Sequence, residues 1–444
     1  MSDDQDVARG GTPFLQAPRS RRQFMQGLGA LAVGGSAAAF LSACSGTSSS
    51  GTGSSGSGGS SKAGFFFDSL ADEWYIDETR AAKQALDGLG VKLQTYAFGS
   101  DPSAQIGEIQ TAVNTKTSMM AIYTPLGQGL RQIADVANSS KVFFDLEADI
   151  PPWTFPATYG DAFGAYVCPA DTAPAAQQAA ENVFKQYTGE VKAVWMPAIP
   201  GGQDNEQPQL GFQAALTAYP NVKVLATGNG KYDRETAFNL MTAWLSQFPQ
   251  IDVLLSHVDT QSLGAYQAMK NAKRTDTKII SCNGQVEGLE AVKAGQIYST
   301  VFKGPLPMGG WRVVHLYDLA HGWKPSPLER MFWLGCFNVT QENVDKALTL
   351  YKNSTLPYDW RKMSRVLNPN DWELQMPLMP INPVTYWQTR NVGAPEPKDW
   401  LPSNVKQAID NGEFEKLVST YKAHIGNNPL ASYGAIMQPE YGSI

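Results

Sequence analysis

The chain has 444 residues, 35 Lys and Arg against 41 Asp and Glu, only four His, and a formal net charge of −6. A mildly acidic chain without a Lys/Arg-rich run excludes nucleic acid as an expected partner. Four cysteines with no C-x-x-C spacing and scattered histidines exclude an expected zinc site, and no metal or cofactor is expected. The 11 Trp, 17 Tyr and 19 Phe are generous for this length, and suit stacking on the apolar faces of a sugar as well as ordinary core packing.

The first segment reads as an address. Ser20-Arg21-Arg22-Gln23-Phe24 precedes a Gly/Ala-rich apolar run that ends in Leu41-Ser42-Ala43-Cys44. Paired arginines ahead of a weakly apolar stretch resemble a twin-arginine export signal, with Arg21 and Arg22 as the receptor-read residues. Leu-Ser-Ala-Cys resembles a lipobox, which implies cleavage before Cys44 and a diacylglyceryl group on its thiol. A transmembrane helix over residues 24–43 is the competing reading on length alone, and glycines at roughly 1 kcal/mol each weaken it. Ser45 to Ser61 are almost entirely Ser, Gly and Thr. Such a segment is a flexible tether with a reach of roughly 20–25 Å. The expected location is the outer face of the cytoplasmic membrane of a bacterium.

Next come short apolar runs alternating with amphipathic stretches. Gly64–Phe67, Val91–Tyr96, Met119–Tyr123 and Lys141–Asp145 are predicted strands, with helices at 72–89, 102–116 and 126–138. After a proline-rich interruption at 151–156, the pattern resumes. Val191–Met196, Val222–Ala226, Val253–Ser256, Lys278–Cys282 and Ile297–Val301 are strands; 171–187, 205–218, 232–247, 260–272 and 285–294 are helices. Strands alternating with helices predict parallel sheets covered on both faces, and two such sets in some 380 residues predict two doubly wound α/β domains. Ligands of such sheets bind beyond the carboxyl ends of the strands. From about Lys352 onward, repeated prolines break regular structure until a helix predicted at 403–422. Cys168 and Cys336 could bridge in an oxidising exterior, but each sits in an apolar stretch, where a buried thiol is the expected state; with Cys282 the count is odd, so at least one thiol is free.

Val253-Leu254-Leu255-Ser256-His257-Val258-Asp259-Thr260-Gln261-Ser262-Leu263-Gly264-Ala265, then Ile279-Ile280-Ser281-Cys282-Asn283-Gly284-Gln285, then Glu287 to Gln296 follow one another in order. Together they resemble the type I periplasmic-binding-protein fold, and within it the ribose-binding-protein-like substrate-binding lipoproteins of sugar ABC transporters. The resemblance covers Ala63 to Leu350. It implies a signal peptide (1–43), a lipidated linker (44–62), an N-terminal domain (63–162, completed by 304–335), a C-terminal domain (163–303, completed by 336–350) and an irregular extension (351–444). It also implies a monomer that takes a small neutral sugar or polyol between its domains and hands it to permease subunits.

The resemblance further implies site residues. Asp259 and Asn283 stand where aspartates bond sugar hydroxyls in that family. Asp145 closes a strand where Asp-Arg is usual, and Asn205 and Glu206 lie where another arginine is usual. Lys303 takes the place of an amide at the hinge. Asp68, Ser69, Trp74 and Tyr75 match a region of stacking aromatics and an amide, and Thr124 a small polar loop. Each has a plain alternative: Asp259 as a helix cap, Lys303 as a surface partner, Trp74 and Tyr75 as helix-face core, His257 as a satisfied structural histidine. Two other classes stay open: a secreted glycosidase, for which Asp145, Glu206 and Asp259 could supply paired carboxyls, and a ligand sensor for a membrane signalling partner.

Overall fold

Long uninterrupted apolar runs such as Phe65-Phe66-Phe67 and Met119–Ile122 are buried, as strands covered on both faces must be. The computed structural model describes residues 61–124, 127–169, 172–390 and 395–436. Arg21, Arg22 and Cys44 lie outside these residues.

The chain runs β1 (Lys62–Phe67), α1 (Glu73–Leu89), β2 (Lys92–Ala97), α2 (Pro102–Asn114), β3 (Met119–Thr124), α3 (Leu130–Ser140), β4 (Phe143–Ala148) and β5 (Phe163–Pro169). It continues through α4 (Thr172–Phe184), β6 (Val191–Met196), α5 (Gln203–Ala218), β7 (Val222–Thr227), α6 (Arg234–Gln247), β8 (Val253–Ser256), α7 (Asp259–Asn271), β9 (Lys278–Asn283), α8 (Val286–Lys293) and β10 (Ser299–Phe302). Then follow α9 (Pro305–Ala320), β11 (Met331–Leu334), β12 (Phe337–Thr340), α10 (Val344–Lys352), α11 (Trp360–Met363), β13 (Leu378–Pro380), α12 (Pro383–Arg390), α13 (Ser403–Asp410) and α14 (Glu413–Ala423).

Two sheets result. The first has the order β13-β11-β5-β4-β3-β1-β2 and the second β12-β10-β9-β8-β6-β7. Both are parallel except at one edge, where β13 runs antiparallel to β11 and β12 antiparallel to β10. The expected start of the second domain at 163 moves past 169, because β5 pairs with β4 and β11 in the first sheet. The strand expected at Lys141–Asp145 runs on to Ala148, since Glu147 finds buried partners and extends the pairing. The helix expected at 403–422 is two helices, broken at Gly412 where φ is +77°, a conformation glycine adopts without a Cβ clash.

Helix packing sets the first lobe. Asp72 caps α1 by accepting from the Trp74 N–H at 2.8 Å, and Ala81, Ala82 and Ala85 line its buried face. These small side chains allow α9 to approach closely; a Cβ on Gly309 would collide with the backbone of Glu78. Cys168, Cys282 and Cys336 are buried thiols. Among the described residues, no helix is long and apolar enough to cross a membrane.

Candidate functional site

The strand ends of the first sheet build one wall. The cap at Asp72 starts α1 so that Trp74 and Tyr75 occupy its first turn. Trp74 donates its indole N–H to Glu147 Oε1 at 2.9 Å. Tyr75 stacks on Phe67 at 4.4 Å and leans on Tyr123 at 5.4 Å, and burial pushes its phenol well up. Asp68 follows β1; burial raises its carboxyl despite hydrogen bonds from Ser100, and its Oδ1 is buried without a hydrogen-bond partner. Ser69 is exposed, accepting from the Ala71 N–H. Thr124 ends β3, buried, and donates to the Asp149 carbonyl at 3.2 Å.

Beneath that wall sits a buried charge cluster. Arg312 of α9, fully buried, donates to Glu147 Oε2 at 2.5 Å and to the Ile122 carbonyl at 2.9 Å. Glu78 of α1 lies 3.6 Å from the same guanidinium. Burial, then the neighbouring Glu147 carboxylate, raises Glu78 well above the usual range, which favours its protonated form. One guanidinium thus faces two buried carboxyl groups, and pairing and hydrogen bonding are what let such groups tolerate the interior.

Asp145 is not part of the wall. Two residues before Glu147 on β4, it is completely buried, with Oδ1 accepting from the Ala165 N–H and Oδ2 paired to His315 Nδ1, both at 2.8 Å. It ties β4 to β5 and α9.

The second wall comes from the loops after β6, β8 and β9. Asn205 is buried, its Oδ1 meeting the Ala198 N–H at 2.8 Å and His257 Nδ1 at 3.1 Å. Because Trp195 donates to His257 Nε2 at 2.9 Å, the ring proton sits on Nδ1. Burial, with Lys303 nearby, lowers His257 to about 3, so the imidazole stays neutral. Glu206 is exposed; its Oε1 accepts from the Gly201 N–H at 3.0 Å and from Asn205 Nδ2 at 3.1 Å.

Asp259 has a structural task. Its Oδ1 accepts from Ser281 at 2.6 Å and Thr300 at 2.7 Å, and its Oδ2 from the Gly284 N–H at 2.8 Å and the Gln285 N–H at 3.1 Å. The side chain is sealed, and a Cβ on Gly288 would collide with it. Burial raises it to about 6, against the pull of these four bonds. Asp259 clasps β8, β9 and β10 at their carboxyl ends, and the cap position of α7 is Val258. Asn283 differs. It ends β9 with φ at +113°, and its Oδ1 is buried with no hydrogen-bond partner. A non-glycine residue held there costs of order 1–3 kcal/mol. Lys303, almost wholly buried, follows β10, its N–H donating to the Asn283 carbonyl at 3.2 Å.

The lobes meet at these strand ends. Glu73 of α1 faces Glu287 at the start of α8; burial, then the charges of Glu287 and Asp259, raises it to about 7. Asp77, one turn on, is raised to about 7 by burial and Glu73. This region is acidic, and Glu287 is paired outward to Arg234 at 2.5 Å.

The model of the periplasmic binding protein domain family matches residues 63–324. The chain belongs to this family of periplasmic binding proteins. It is 36% identical over 135 residues to the xylitol-binding protein of Mycolicibacterium smegmatis, which covers 30% of this chain but only 38% of that protein. With the ribose import binding protein of Salmonella typhimurium it shares 23% identity over 243 residues, 54% of this chain and 78% of that one. The solved structure of a twin-arginine translocation pathway signal protein from Burkholderia phytofirmans superposes with a TM-score of 0.61 at 18% identity, covering 68% of this chain and 95% of that one. This last is a likeness of fold.

The arrangement supplies aromatic surface and hydrogen-bonding groups at the strand ends. Glu147, Arg312 and Glu73 escaped the sequence reading. A signal was present: Asp145 and Glu147 alternate along β4, and Arg312, with His315 and Asp318, interrupts a largely apolar helix. A carboxylate and a guanidinium in such settings call for each other.

Proposed function

We propose that this chain is an extracytoplasmic receptor that closes its two lobes on a small neutral sugar or polyol and delivers it to an ABC transporter permease. The observation that carries this reading is Asn283. A strained backbone and a buried, unpartnered side-chain oxygen meet at a strand end, where the fold binds its ligands. An amide there can accept one hydroxyl proton and donate to another oxygen. Asp68 offers a second buried acceptor from the opposite lobe, Trp74 and Tyr75 an aromatic face, Lys303 a cation, and Ser69, Thr124 and Glu206 further polar groups. The names of the xylitol-binding and ribose import relatives support the same ligand class.

The reading is of a binder and not an enzyme. A glycosidase requires two accessible carboxyls about 5–10 Å apart, and Asp145 and Asp259 are sealed in hydrogen bonds. The receptor is exported through Arg21 and Arg22, tethered by lipidated Cys44, and works as a monomer. Lipid labelling of Cys44→Ala and export of Arg21→Lys/Arg22→Lys check those two steps. For the site itself, thermal shifts with sugars and polyols, run beside a glycoside hydrolysis panel, are the test. A ligand-induced shift that disappears in Asn283→Ala, with no hydrolysis, supports the receptor; turnover of a glycoside overturns it.

A further inference from the structure

The part of the chain beyond α10 lies outside the family match, which ends at 324, and it touches both lobes. Helix α10 belongs to the second lobe: Asp345 pairs with Lys293 of α8 at 2.6 Å, and Tyr351 donates its hydroxyl to the Gly284 carbonyl at 3.2 Å. Immediately afterwards the chain docks on α1 of the first lobe. Arg80 donates to the carbonyls of Tyr351, at 2.7 Å, and Asn353; Gln84 donates to the Ser354 carbonyl and accepts from the Leu356 N–H.

The described residues from Trp360 to Ala423 stay on the first lobe. Asp318 of α9 accepts from Ser364 and from the N–H groups of Arg365 and Val366. β13 extends the first sheet, and His424 stacks on Trp372 at 3.9 Å. The chain then returns to the second lobe. Tyr433 stacks on Phe337 of β12 at 4.3 Å, accepts from the Ala347 N–H of α10 at 2.9 Å and donates to the Asn343 carbonyl. Lys346 reaches Ser432 at 2.8 Å, and Ile436 pairs with Cys336 as a β-bridge.

Three connections already join the lobes: β5 to α4, β10 to α9, and β11 to β12. The extension adds two more. We propose that residues 425–436 form a strap across the hinge, fixed to the first lobe by α14 and to the second by Tyr433 and Ile436, which limits how far the lobes open. Only Ile425 to Ser432 separate the two anchors, and eight residues span at most roughly 29 Å at 3.3–3.6 Å each. Opening beyond that length requires breaking the Tyr433 and Ile436 contacts. The strap acts on the ligand-free molecule whatever solute it takes, so its test is independent of the ligand assignment.

Spin labels on Lys83→Cys of α1 and Lys270→Cys of α7, both exposed, report the distance between lobes in ligand-free protein; the three native thiols of the body are buried. Two full-length variants loosen the strap differently. Tyr433→Ala with Ile436→Pro removes its second anchor. A twelve-residue Gly/Ser insertion between Asn427 and Asn428 keeps both anchors and adds slack, at little cost in loop entropy. The strap predicts a longer and broader distance distribution than the parent in both, with folding checked by melting. A distribution superimposable on the parent in the folded insertion variant overturns the proposal, whatever the anchor variant does.

Discussion

Trp74 hands its indole N–H to Glu147 at 2.9 Å, so the first turn of α1 is locked to the end of β4. Glu147 is held from below by Arg312, and the aromatic face of the first lobe therefore rests on a buried charge. Trp74→Phe keeps an aromatic ring and removes the donor. Leaving a buried carboxylate oxygen short of a bond costs about 1–3 kcal/mol, to be read as a lowered midpoint in urea. Affinity should fall as well, because the ring is no longer held in place. Unchanged stability would mean that the bond is incidental.

Asp259 should behave as a clasp and not as a ligand contact. Asp259→Ala strands two backbone N–H groups and two hydroxyls; at about 1.5–3 kcal/mol for a hydrogen bond to a charged group, the loss is at least about 3 kcal/mol. Asp259→Asn should be milder, since Ser281 and Thr300 can reverse their hydroxyls toward the new amide while its oxygen keeps the two N–H donors. Calorimetric affinity of Asp259→Asn should stay within a few-fold of the parent. A tenfold loss at unchanged melting temperature would restore the ligand role.

At Asn283, stability and binding should move in opposite directions. Asn283→Gly relieves the φ of +113° and removes a buried unpartnered oxygen, so the melting temperature should rise, by an amount equivalent to about 1 kcal/mol or more. Ligand affinity should fall at least tenfold, which is about 1.4 kcal/mol. A variant both less stable and equally tight in binding would show that the strain serves the fold alone.

Stability should decline as the pH rises from about 5 to 7.5. Glu73 and Asp77 lie at about 7 and Asp259 at about 6, each raised mainly by burial. Their contribution is fully present below the unfolded values near 4 and is lost as the pH passes the folded ones. His257, lowered to about 3 by burial, works the other way: its contribution is lost as the pH falls below 6.5. Three protons retained against one refused leaves the acids dominant. Melting curves across this range should show the fall, and Glu73→Gln with Asp77→Asn should flatten it; a steady rise toward pH 7.5 in the parent would contradict the assignment.

Nine of the strands were readable because a sheet covered on both faces needs continuous apolar runs, and Phe65-Phe66-Phe67 or Ile279-Ile280 provide them, whereas β5, β11, β12 and β13 escaped the reading. Site residues were harder for a specific reason. An aspartate between a strand and a Leu-Gly-Ala helix reads the same whether its carboxylate faces a ligand, as expected for Asp259, or turns back to Ser281 and Thr300. Only the neighbouring strands decide. Asp145 and Glu147 posed the same ambiguity, since both lie on one side of β4 and only α9 distinguishes the residue facing His315 from the one facing Trp74. The extension was unreadable because β13 and its flanking helices are short and proline-bounded, and are held by contacts with α1, α9 and β11 rather than by their own periodicity.

The central claim is that a neutral polyhydroxylated solute binds between the lobes. Titration calorimetry of the purified chain against pentoses, hexoses, deoxy sugars, polyols and inositols tests it most directly. The account predicts one saturable site per chain for at least one of these compounds, with affinity reduced at least tenfold in Asn283→Ala. Tight binding confined to amino acids, peptides or metal ions, with no heat from any sugar or polyol, would contradict it.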